Sequence, residues 1–201
     1  PVFDVMRTQL MAGQFLDVVE SMRPWSGLDD HERIERAGRV IRFKSAKYSV
    51  EHPLLIGATV GGLAPGGIAA LSDYGLALGR AFQLRADLLG VFGDPEETGK
   101  PAGDDLREGK RTVLLAHTLA GCSAEERTRL EELLGRADLG HDQVEELRGV
   151  ILRSGAVDTL EAEITDLARH ARETLAGTGS IDARAEEALS RLVTMTTART
   201  A

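Results

Sequence analysis

The chain has 201 residues, with 32 Asp and Glu against 24 Lys and Arg, five His, one Cys and eight aromatic residues. An apolar share of 42% beside a charged share of 28% fits a soluble globular protein able to bury a full core, and not a disordered chain. The net charge of −8 argues against a nucleic-acid binder working through a broad basic surface. The single Cys122 excludes an intramolecular disulfide framework and a Cys-built zinc site. No positive segment followed by an apolar run opens the chain, so no secretory signal is read and a reducing cytoplasm fits best.

Helical signals run from end to end, while strand signals are scarce. Val5, Leu10, Phe15, Leu16 and Val19 form an apolar stripe that ends near Pro24. Asp29 or Asp30 can cap the next helix, in which Ile34, Ala37, Val40 and Ile41 recur at helical spacing. Residues 53–72 carry no charge over a length that would span a bilayer. Their five Gly and the Pro65-Gly66-Gly67 run would strand backbone groups in lipid. Two buried helices meeting at a turn are the better reading, with no stable membrane insertion. A long helical pattern follows from Gly67 to Phe92, then a polar loop from Gly93 to Arg111. Ser123 with Glu126 forms a capping box. Helices are predicted over His141–Arg153, Ala156–Leu175 and Asp182–Thr196, with Gly155 and Gly177 as C′ residues. The architecture read is a single all-α domain over residues 1–201.

The Gly93–Arg111 loop carries six acids beside Lys100, Arg107, Lys110 and Arg111 on a glycine-rich backbone. Such a mixture suits an anion partly neutralised by a divalent metal, and it equally suits a solvated surface loop. Three pairs sit on otherwise apolar helices: Gln14 with Asp17, Lys44 with Lys47, and Gln83 with Asp87. Acids and lysines on several helices of one bundle are how cofactor and metal sites are built there, and also how ion-pair networks are built.

Four blocks carry a resemblance: GQFLD (13–17), FKSAKYSVEHPLLIGA (43–58), GRAFQLRADLLGVFGD (79–94) and TGKPAGDDLREGKRT (98–112). In order and spacing they resemble the trans-isoprenyl diphosphate synthases, which include the farnesyl and geranylgeranyl diphosphate synthases. The resemblance implies an isoprenoid-synthase-type helical bundle around a central cavity, usually dimeric, as a homodimer or heterodimer. It implies Mg²⁺-dependent condensation of an allylic diphosphate with isopentenyl diphosphate. By the same resemblance Lys44 would contact the allylic diphosphate. Carbonyls near Lys44 and Ser45, with Gln83, would face the developing cation. Lys100 and Lys110 would grip the diphosphate, with Lys44 and Lys100 facing one cavity. Asp87 and Asp105 would serve the metal, while Gln14 and Asp17 would line the polar upper cavity.

Two departures stand out. Ala86 occupies the first position of the second aspartate-rich motif, where a metal-ligating Asp is expected, and Gly90 stands where many members have a third Asp. The first aspartate-rich motif, DDxxD, is absent. The chain therefore reads as the C-terminal part of a synthase, impaired by Ala86 and by the missing upstream half. The alternative is a non-catalytic subunit that modulates an active prenyl synthase.

Overall fold

The structure is a computed structural model that describes residues 2–99, 101 and 103–197. Among these residues there is no strand. The helices are α1 (Val2–Met22), α2 (Asp30–Val40), a π-helix (Ile41–Glu51), α3 (His52–Val60), α4 (Pro65–Phe92), α5 (Pro95–Thr98), α6 (Asp104–Arg107), α7 (Val113–Gly121), α8 (Ala124–Leu133), α9 (His141–Arg153), α10 (Ala156–Thr178) and α11 (Ala183–Thr197).

The termini follow local chemistry. Asp29 Oδ1 accepts from the Glu32 N–H at 2.7 Å and starts α2. Ser123 and Glu126 exchange side-chain and backbone bonds at 3.2 and 3.0 Å, the capping box expected for α8. Asp182 caps α11 by accepting from the Ala185 N–H at 2.8 Å. Gly155 follows α9 with φ +75°. Gly177, expected to end α10, lies inside it; Gly179, at φ +54°, takes the left-handed position two residues later.

Other expectations are corrected. The 53–72 stretch does form two helices, but its turn falls before Pro65, which opens α4 where proline's fixed φ and missing N–H cost nothing. Nor are both helices buried: Leu54, Leu55 and Ala58 pack on a core while Val60 is 86% exposed. A lack of charge does not require cover on every side. Lys44 and Lys47 lie on the π-helix, through which the backbone runs on from α2 to α3. The polar loop contains two single-turn helices, α5 and α6. Helix α7 was not foreseen, since it is buried nearly all round (Val113, Leu114, Leu115, Ala116, Leu119) and so has no polar face to set a period. No described helix is long and apolar enough to cross a membrane.

The chain divides into two compact units. The first comprises the described residues up to Val18, Arg39–Arg85, and those from Glu163 onward. Its core is built from α4, α10 and α11 through Leu71, Tyr74, Leu78, Ala171, Leu175 and Val193, and the Tyr74 hydroxyl donates to the Leu189 carbonyl at 2.9 Å. Burial raises the Tyr74 pKa well above the ordinary phenol value.

Three glycines of this unit bring backbones into contact with the π-helix. A Cβ at Gly13 of α1 would lie 2.4 Å from the Lys44 nitrogen. On α4, Cβ atoms at Gly75 and Gly79 would lie 2.7 Å from Glu51 Cα and 2.5 Å from Ala46 Cα. Gly79→Ala should therefore destabilise the protein by about 1–3 kcal/mol, roughly 3–10 °C in Tm. Gly66→Ala, in open space on the same helix, should leave Tm unchanged or slightly raised. Thermal unfolding of the two variants side by side checks this.

The second unit comprises Val19–Gly38 and Ala86–Ala162. Within it α7 and α8 both pack on α9, with Leu114, Leu130, Leu133, Leu147 and Ile151 fully buried. Arg148 Nε donates to the Val91 carbonyl at 2.8 Å, and its guanidinium lies over the Phe92 ring.

Candidate functional site

In the first unit the candidate residues Lys44 and Ser45 lie on the π-helix, with Gln14 and Asp17 on α1 and Gln83 on α4. Pro53 removes a backbone donor just beyond the π-helix, and the His52 N–H reaches back five residues to the Lys47 carbonyl. Helices of this type are rare and concentrate at functional sites. Lys44 Nζ donates to Asp17 of α1, across the close approach at Gly13. Both side chains stay about one-third exposed, so the pair is screened and open to a competing anion. Ser45 is buried. Its carbonyl accepts from the Ser49 hydroxyl at 2.8 Å in addition to its place in the helix ladder. Gln83 of α4 is half-buried and Gln14 of α1 is exposed.

At the end of the π-helix lies a buried polar group that no motif announced. Glu51 Oε2 accepts from Lys47 Nζ at 2.9 Å and Oε1 from Ser72 Oγ at 2.6 Å. Next to it His52 Nε2 meets Gln9 Oε1 at 2.9 Å, while buried Nδ1 has no hydrogen-bond partner among the described residues. Burial holds the His52 pKa below its ordinary value of 6.5, with Glu51 opposing and Lys47 reinforcing the shift. A depressed histidine pKa makes the neutral form the folded one. Its contribution to stability is complete above 6.5 and is lost as pH falls toward the lowered value. Over that acid window the protein should lose stability faster than its His52→Gln variant, as thermal unfolding at a series of pH values would show.

In the second unit α4 carries Ala86, half-exposed, and Asp87, 5% exposed. One turn on, Gly90 is covered by Asp105, since a Cβ at Gly90 would lie 2.2 Å from Asp105 Oδ2. In this arrangement the Asp105 carboxylate, arriving from α6, lies where a side chain at position 90 would start. Asp105 is 7% exposed and its Oδ1 accepts from Lys110 Nζ at 2.5 Å. Lys110 also meets Glu108 at 3.0 Å. Burial alone would lower the Lys110 pKa, but hydrogen bonds and charge from Asp105 and then Glu108 hold it well above the ordinary lysine value. Asp104, Asp105 and Glu108 each bring a carboxylate oxygen within 4.8 Å of the others. Three oxygen donors so close suit a hard divalent cation. Asp104 and Glu108 were seen in the sequence only as loop acids. Lys100 lies outside the described residues.

The described residues are all-helical, with a lysine–carboxylate pair in each unit, Lys44 with Asp17 and Lys110 with Asp105. The polyprenyl synthetase family model matches residues 2–151, and the chain belongs to that family. It is 40% identical over 136 residues to a short chain isoprenyl diphosphate synthase of Methanothermobacter thermautotrophicus, covering 68% of this chain and 41% of that protein. It is 32% identical over 154 residues to a geranylfarnesyl diphosphate synthase of Aeropyrum pernix, covering 77% and 47%. A geranylgeranyl pyrophosphate synthase of Corynebacterium glutamicum, solved with isoprenyl diphosphate and magnesium, superposes with a TM-score of 0.88 at 38% identity, over 99% of this chain and 54% of that one. The chain thus spans about half the length of these relatives.

Proposed function

We propose that the protein carrying this chain is a Mg²⁺-dependent prenyltransferase that condenses an allylic diphosphate with isopentenyl diphosphate into a longer isoprenyl diphosphate. The observation that carries the reading is the Asp105–Lys110 pair over Gly90, inside the glycine-rich block that the family match covers. A loop that merely connected helices would have no need to bury a carboxylate beside a lysine. In this reading Lys44 and Lys110 bind diphosphate oxygens as compact charges, and Lys100 joins them. Gln83 and the carbonyls near Ser45 face the allylic carbon as positive charge develops, while Gln14 and Asp17 keep the neighbouring surface polar. Asp87 and Asp105 would hold Mg²⁺, which when bound neutralises charge on the leaving diphosphate. Assembly with a second subunit, identical or not, belongs to the same proposal.

Ala86 favours a second reading, a weakened or non-catalytic subunit that modulates an active synthase. Both readings predict diphosphate binding. Calorimetry of the complete gene product with pyrophosphate should show binding with Mg²⁺ that EDTA abolishes and Lys110→Ala weakens; binding indifferent to both would remove the basis of either.

A further inference from the structure

We infer that Glu51, with Lys47 and Ser72, is a positioning network that holds the π-helix in the register from which Lys44 and Ser45 act. The inference rests on the prenyl-transfer reading above. Glu51 is 3% exposed, and both its oxygens are engaged, one by Lys47 on its own helix and one by Ser72 on α4. The Lys47 side chain is only 13% exposed. A buried carboxylate–ammonium pair is a poor device for stability, because desolvation offsets most of the attraction and an apolar pair of similar volume does as well. What such a pair supplies is direction.

Beyond the part-exposed Lys44–Asp17 pair, the rest of the interface offers less direction. The π-helix meets its neighbours through backbone contacts at Gly13, Gly75 and Gly79, which allow close approach but do not select one rotation over another. Lys47 and Glu51 span the last turn, where the His52 N–H bonds the Lys47 carbonyl. Ser72 lies on α4 three residues before Gly75, the glycine that receives Glu51 Cα. The Glu51 carboxylate therefore ties the rotation of that turn to α4. Lys44 is three residues upstream of Lys47 on the same helix. A relaxation from π to α spacing would swing it away from Asp17, with which it is now paired, and would turn the Lys44 and Ser45 carbonyls as well.

The test is steady-state prenyl transfer by the complete gene product, with kcat and KM separated and Tm recorded. The Lys47→Met/Glu51→Met double variant removes the pair without leaving a lone buried charge. It should keep its Tm and lose roughly 10-fold in kcat, and Glu51→Gln should recover part of that loss. Lys44→Ala should cost much less in the double-variant background than in the wild type, because both changes act on one positioned group. If the double variant does not fold, Ser72→Ala, which deletes one hydrogen bond, takes its place, with the same non-additivity expected. Wild-type kcat in the folded variant, or full additivity with Lys44→Ala, overturns the positioning role while leaving the prenyl-transfer reading intact. Lys44→Ala without effect in the wild type overturns the site reading and the inference together.

Discussion

Ala86→Asp in the complete gene product should raise the rate of prenyl transfer by about 10²-fold or more. Position 86 is half-exposed on α4, directly before buried Asp87 and one turn before Gly90. An aspartate there adds a hard oxygen donor where the family motif has one, without displacing any buried side chain. Positioned metal charge is worth several kcal/mol to a departing anion, and each 1.4 kcal/mol is a factor of about ten. The gain should appear in kcat at saturating Mg²⁺, since the residue would act on charge that develops during departure. No gain would place the defect elsewhere and favour the modulating subunit.

Lys44→Ala should cost roughly 10- to 10²-fold in kcat/KM, the loss expected when one charge-assisted contact of about 1.5–3 kcal/mol disappears. Helical content should not change, because Lys44 is only partly covered and its partner Asp17 can turn to water. Circular dichroism alongside the kinetics separates the two effects. Full activity in the variant would remove Lys44 from the site, leaving Asp17 and Lys44 as a surface pair worth at most about 1 kcal/mol.

Residues that carry chemistry were the easier part to read. Lysines, acids and glutamines stand in a fixed order along the chain, so GQFLD, FKSAK and GDDLREGK can be recognised without knowing how they fold. The all-α class followed from apolar spacing and from caps such as Ser123 with Glu126, which act within a few residues. What escaped depends on distant partners. Gly90 reads as a lost acid in the sequence, and only the fold shows that the carboxylate of Asp105, fifteen positions later, lies against it. Gly13, Gly75 and Gly79 read as small residues with no stated neighbour, yet each admits the backbone of the π-helix. The π register itself leaves no mark, since the same side chains favour either helix. Glu51 resembled any helical acid, because its burial is decided by Ser72 and Lys47 together. Helix α7 lacked a period for the opposite reason: nearly every side chain is covered, so nothing alternates.

Product formation by the complete gene product, with an allylic diphosphate, isopentenyl diphosphate and Mg²⁺, tests the central claim most directly. With alanine at position 86 the account predicts slow but measurable conversion to a longer isoprenyl diphosphate, abolished by EDTA, reduced in Lys44→Ala and accelerated in Ala86→Asp. No product above the protein-free control from either the alanine or the aspartate form, together with no Mg²⁺-dependent binding of pyrophosphate, would contradict it.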